Sequence, residues 1–143
     1  MAVKRAMRRL LEVREMEAEQ NRAALERAIG DLRQKEATLA AAGEREQRGR
    51  RLVTASARTG ELVDRVAGME ETRAGRRGAE HLLPKIAQAE QLVVQRRQEF
   101  LAARIERRQV ELLVGKAAKE DAIEAGRRTQ RDLDDWFLRR AGR

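Results

Sequence analysis

The residues of this chain that could carry chemistry are few and scattered. Its one histidine, His81, has no second histidine at helical spacing, so no two-histidine metal site is set up. Gly115-Lys116 comes nearest to a phosphate loop, but Val110 stands where the loop needs its first glycine and Ala117 where it needs a hydroxyl. Asp134 and Asp135 are adjacent, and neighbours on a helix point to different sides, so they cannot share the cleft of a general acid–base pair. Cysteine is absent, which removes disulfides and thiolate metal sites. The expectation is a non-enzyme with no catalytic residue, no metal and no cofactor, in which His81 is a surface or hinge residue.

Binding is the chemistry that is left. The formal charge of +8 suits nucleic acid, an anionic membrane surface or an acidic protein. Basic clusters recur at Lys4-Arg5 with Arg8-Arg9, at Arg48, Arg50 and Arg51, and at Arg76-Arg77, Arg107-Arg108 and Arg127-Arg128. Phosphate binding needs such density. Yet no aromatic residues are interleaved for base stacking, no zinc knuckle or helix-turn-helix spacing occurs, and acids are mixed with the bases. The charge therefore reads as solvated helix surface, and the pattern argues against nucleic acid.

A sharper signal lies near the end. The chain has three aromatic residues, Phe100, Trp136 and Phe137, and two of them are neighbours. Leu133, Trp136 and Phe137 stand at i, i+3 and i+4, so they share one helix face. They could staple the C-terminus onto the first turns near Met7 and Leu10. Alternatively they form an anchor set for another protein, since Trp is enriched at binding hot spots.

These residues must be positioned by helices. Charged residues make up 39% of the chain and aromatics 2%, which suits long helices or a coiled coil rather than a compact core. Disorder is the rival reading of such a composition, and periodicity decides against it. Leu11, Ala18, Leu25, Leu32 and Leu39 recur in sevens, with a partial second row of Ala28 and Ile29 weakened by Glu15, Arg22 and Glu36. So narrow a seam needs a partner. Ile86, Val93, Phe100 and Val114 supply one, interrupted by Arg107, with Leu82, Ala89, Ala103, Val110 and Ala117 beside them and then Leu101, Ile105 and Leu112. The predicted seam is Leu11, Leu25, Leu32 and Leu39 against Ile86, Val93, Phe100 and Leu112. The fold class is all-α: a rod-like antiparallel two-helix coiled-coil hairpin without a compact globular core.

Six of the ten glycines, at 43, 49, 60, 68, 75 and 78, fall in the middle of the chain, and Pro84 follows them. A helix-interior glycine costs roughly 1 kcal/mol relative to alanine, so helices are expected to break or fray here. The reading is one coiled-coil domain over 1–143, with a first arm at 1–56, a Gly-rich turn and kinked region at 57–84 and a second arm at 85–143. Of two turn candidates, SARTGE (56–61) and AGRRG (74–78), the first is preferred, because Leu62, Val66 and Met69 restore helical spacing after it; Pro84 then kinks or restarts the second helix. With that turn the second arm is the longer, and roughly its last 25 residues project beyond the first, given about 1.5 Å of rise per helical residue. That overhang favours docking over stapling for Leu133, Trp136 and Phe137. No signal peptide or membrane span is expected, and the chain reads as cytoplasmic.

Three stretches, LLEVREMEAEQ (10–20), ERRQVELL (106–113) and RRTQRDLDD (127–135), resemble the FliJ family of the flagellar type III export apparatus. The resemblance covers most of the chain and rests most on Leu133-Asp134-Asp135 following the Glu124 to Gln130 stretch. It implies a central stalk for the hexameric export ATPase, which links the ring to the membrane export gate protein and to export chaperones. The nucleotide chemistry would then belong to the ring, and the protein would be peripherally associated with the membrane apparatus. Carried over by matching stretch, Arg14, Arg127, Arg128, Gln130 and Asp134 are ATPase-side candidates, joined by Leu133, Trp136 and Phe137. The Gly-rich bend is the gate-side candidate, although the aromatics frequent there in the family are missing between residues 40 and 99. The equivalent stalk of a virulence-type injection system shares this architecture. An unrelated basic scaffold or nucleic-acid-associated protein is the alternative of another class.

Overall fold

The computed structural model describes residues 2–142. They form two helices, α1 (Ala2–Thr59) and α2 (Leu62–Ala141), packed antiparallel, with no strand among the described residues. The fold is all-α, a helical hairpin, as periodicity and composition predict. α1 is rich in Ala, Glu, Arg and Leu and contains no proline, so little opposes its 58-residue length. It stops at Gly60, whose φ of 71° is the one positive value among the described residues. The Gly60 amide donates to the Ser56 carbonyl at 2.8 Å, which closes the last turn in the left-handed cap that favours glycine.

The turn lies where SARTGE places it, but it is much shorter than a region spanning 57–84. Only Gly60 and Glu61 separate the helices, and α2 runs unbroken through Gly68, Gly75, Gly78 and Pro84. Pro84 does not restart the helix. It and Glu80, whose carbonyl loses a donor to the proline ring, are both exposed, so water can serve that carbonyl. The glycines persist in the helix because of what their missing Cβ atoms permit.

Packing separates two units, residues 2–20 with 101–142 and Asn21–Phe100. In the central unit the covered positions of α1 include 25, 28, 32, 35, 39, 42, 46, 49, 53 and 56, which alternate steps of three and four. Ile86, Ala89 and Val93 are buried against them, while Leu25, Leu32, Leu39 and Phe100 are half-buried. Near the turn the helices approach backbone to backbone: a Cβ on Gly75 would stand 2.6 Å from the Ala42 carbonyl oxygen and 2.7 Å from the Glu46 nitrogen. The rim is fastened by Arg45, whose Nε and Nη2 each donate to Glu71 at 2.9 Å. This two-pronged contact holds the Glu71 carboxyl below its usual pKa.

In the end unit, Ala18, Ala103 and Val110 are buried, with Leu11, Val114 and Ala117 half-buried beside them. The second row on α1 is not the Glu15, Arg22 and Glu36 row, all of which are exposed. It lies one residue earlier, through Met7 and Arg14 here and through Ala28, Lys35, Ala42, Gly49 and Ser56 in the central unit. Leu112 also leaves the predicted seam: it is 59% exposed. It follows buried Val110 by two residues, about 200° around the helix, and so lies on the far side of α2.

Candidate protein-docking site at the end of α2

The two helices of the end unit stop covering one another near Asp121. Met7 and Arg8 line a small gap with Val114, Ala117 and Ala118, and Lys4 pairs with Asp121. From Ala122 to Ala141 every residue of α2 is exposed, as is Gly142 after it. That length of bare helix amounts to about 30 Å at 1.5 Å per residue.

Local pairs hold this segment helical. Arg128 Nη2 donates to Glu124 at 3.2 Å and Gln130 Nε2 to Asp134 at 3.1 Å, both at i, i+4. Trp136 and Phe137 meet edge to face, with ring centroids 5.2 Å apart and planes at 78°. The Arg140 guanidinium sits 4.9 Å above the Trp136 ring and fixes its orientation. Trp136 remains 50% exposed and Phe137 62%, with Leu133 and Leu138 also open. The staple onto the N-terminal turns is therefore not formed: Met7 faces Val114 and Ala117 instead, and Leu10 is exposed.

Arg127, Arg128, Gln130, Leu133, Asp134, Trp136 and Phe137 thus share one uncovered stretch of helix. Arg14 does not join them. Its Nη1 donates to Glu17 at 2.9 Å and to Glu106 at 3.0 Å, which places it across from the beginning of the unit's α2 segment. Those carboxylates, Glu17 by its hydrogen bond first and then Glu106 by its charge, push the guanidinium pKa above its ordinary value. Arg127 follows Glu106 by 21 residues, again about 30 Å along the helix. Leu138 and Arg140 belong to the exposed end as well. Arg140 was legible at i+4 from Trp136, the spacing at which a cation reaches a ring on the same face.

Among the described residues, no group of His, Cys, Asp and Glu is arranged to hold a metal ion, and His81 is exposed. No helix among them is long and apolar enough to cross a membrane. The arrangement offers a convex, part-aromatic helix end, suited to insertion into or against another protein. Searches of characterised proteins and of solved structures returned no match. A family model described as Flagellar FliJ protein, however, matches residues 3–143. That match spans nearly all of a two-helix coiled coil with an uncovered end, and the chain belongs to the flagellar FliJ protein family.

Proposed function

We propose that this chain is the central stalk of the hexameric flagellar export ATPase, entering the ring with the exposed end of α2. Family membership makes it a coiled-coil protein of flagellar type III export that interacts with the export apparatus. The observation that carries the finer reading is the uncovered segment 122–142, which keeps Leu133, Trp136 and Phe137 open to a partner. Those three are the apolar anchors, and Arg127, Arg128, Gln130 and Asp134 supply polar contacts to the ring. Arg14, committed to Glu17 and Glu106, contributes by holding the end unit together.

The turn is the contact for the export gate protein, with Leu62, Val63 and Val66 exposed just after it. Export chaperones are the remaining partners in this reading. The protein works in the cytoplasm, held at the membrane through the apparatus. The test is to add the purified chain to the cognate ATPase and follow hydrolysis and ring formation by sedimentation. Stimulated hydrolysis with co-sedimentation is expected, and the absence of both would overturn the stalk role.

A further inference from the structure

α2 carries a second row of apolar residues on the side away from α1. In the end unit, Leu101, Ile105 and Leu112 are all exposed. With Arg108, Gly115 and Lys119 they fall at steps of four, three, four, three and four residues. That alternation is the spacing of a coiled-coil seam. It lies opposite the row that faces α1, since Leu112 is about 200° from buried Val110. One helix therefore presents two seams, one filled by α1 and the other open.

The open seam has a charge of one sign. Arg108 and Lys119 lie on it with Lys116 beside them, and no acidic residue stands in the row itself between 101 and 123. Two acids of the same stretch are turned to the α1 side, where Glu106 meets Arg14 and Asp121 meets Lys4, while Glu120 stands exposed at the edge of the face, one turn on from Lys116. Glu111 borders the row, about 100° from Leu112, where it accepts from Arg107 at 3.0 Å and Arg108 at 3.3 Å. These two arginines, Arg107 the more strongly, hold its carboxyl below the usual pKa. Beside the row runs a shallow groove of about 660 Å³ between Leu101, Ile105, Arg108 and Glu111.

We infer that this outer face of α2, centred on Leu101, Ile105 and Leu112, docks an acidic amphipathic helix of another protein as a third helix. Apolar side chains at seam spacing provide the holes and knobs, and Gly115 leaves room for close approach. Arg108, Lys116 and Lys119 select a partner with glutamates or aspartates flanking its own apolar seam. A second copy of this chain fits poorly, because the same face would bring base against base. A bilayer fits poorly too, because Arg108 stands between Ile105 and Leu112 in the row, where burial in lipid is costly. The surface uses no residue of segment 122–142 and so stands apart from the ATPase reading.

The probe is a labelled synthetic peptide of about four heptads with Leu at the two seam positions and Glu at the flanking ones. Its binding to the full chain is followed by fluorescence anisotropy at low and moderate salt. Binding weakened by salt is expected, with a loss of about tenfold or more in Lys119→Glu and in Leu112→Glu. Both positions are exposed, so circular dichroism should be unchanged. A peptide with Lys in place of Glu should not bind, and Arg33→Glu, on the exposed surface of α1, should bind like the parent. Absence of binding, equal binding of both peptides, or equal losses in Arg33→Glu and Lys119→Glu would each overturn the inference. So would binding to anionic lipid vesicles, or self-association, that Leu112→Glu abolishes.

Discussion

A Cβ placed on Gly49 would stand 2.6 Å from the Gly68 carbonyl oxygen, and one placed on Gly68 would stand 2.7 Å from the Gly49 carbonyl oxygen. The two glycines face each other across the seam, each occupying the space that the other's side chain would need. Gly49 also fits against the Thr72 amide, where a Cβ would come within 2.5 Å. Since backbone atoms stand in the way at both positions, no rotamer change alone can relieve the clash. Glycines that weaken a helix in isolation are here the condition for two helices to touch.

Alanine substitution should therefore split the glycines by sign. Gly49→Ala and Gly68→Ala should destabilise the hairpin by about 1–3 kcal/mol, the range for overpacking. Gly43→Ala and Gly126→Ala, where an added Cβ meets nothing within 4 Å, should stabilise it by up to about 1 kcal/mol. Thermal unfolding of the four variants checks this. A rise in Tm for all four would mean that the close approach does not exist in solution.

The same glycines explain what could and could not be read beforehand. The α2 seam was legible because Ile86 and Val93 repeat in sevens beside Ala89, Ala103 and Val110, and apolarity is the cue that periodicity uses. The second row of α1 was not, because Met7, Arg14, Lys35, Gly49 and Ser56 are too polar or too small to announce themselves. Counting glycines between 57 and 84 as breakers missed that burial against a partner backbone can outweigh helix propensity. Leu112 misled for the opposite reason: it is apolar, but on a helix with two apolar faces. The exposed end of α2 was foreseeable from unequal arm lengths once Gly60 was taken as the turn. The separation of Arg14 from that end was not, because only the register of the hairpin shows that Arg14 lies opposite Glu106.

Acid should loosen the molecule through specific carboxylates. Glu71 beside Arg45, Glu99 beside Arg96 and then Gln95, and Glu111 beside Arg107 and then Arg108 are all held below the usual glutamate pKa. A depressed folded-state pKa gives stability that is present above the unfolded value and lost as pH falls through the folded one. Stability should therefore decline on acidification below about pH 4. Glu61 has the opposite sign: the hydrogen bond and charge of Asp64 raise its pKa, so protonation there relieves repulsion. Urea unfolding across pH 2–7 (roughly the carboxylate range) should show a shallower acid loss in Arg45→Gln and a gain at neutral pH in Glu61→Gln. An acid limb identical in Arg45→Gln and the parent would remove Glu71 from this account.

Arg14 should behave as a helix-pairing residue rather than a ring contact. Arg14→Glu places three carboxylates together, with Glu17 and Glu106, and should lower Tm. Combining it with Glu106→Arg restores opposite charges across the seam and should recover much of the loss. If the double variant recovers stability yet fails to stimulate the ATPase, Arg14 itself touches the ring. If it recovers both, its role is confined to the hairpin.

The exposed aromatic pair separates docking from stability most directly. Trp136 and Phe137 touch each other, Trp136 also meets Arg140, and both rings are half or more exposed, so Trp136→Ala and Phe137→Ala should move stability by no more than about 0.5 kcal/mol. Helix content should likewise hold, because alanine favours helix more than either aromatic residue. Binding to the export ATPase should weaken by about 2 kcal/mol for Trp136→Ala, roughly thirtyfold in Kd, if the ring buries its indole. Leu133→Ala, on the same face, should weaken it less. Titration calorimetry against the ATPase, paired with thermal melts of the free chain, reads both quantities. Variants that melt early yet bind normally would place the pair in the fold rather than the interface.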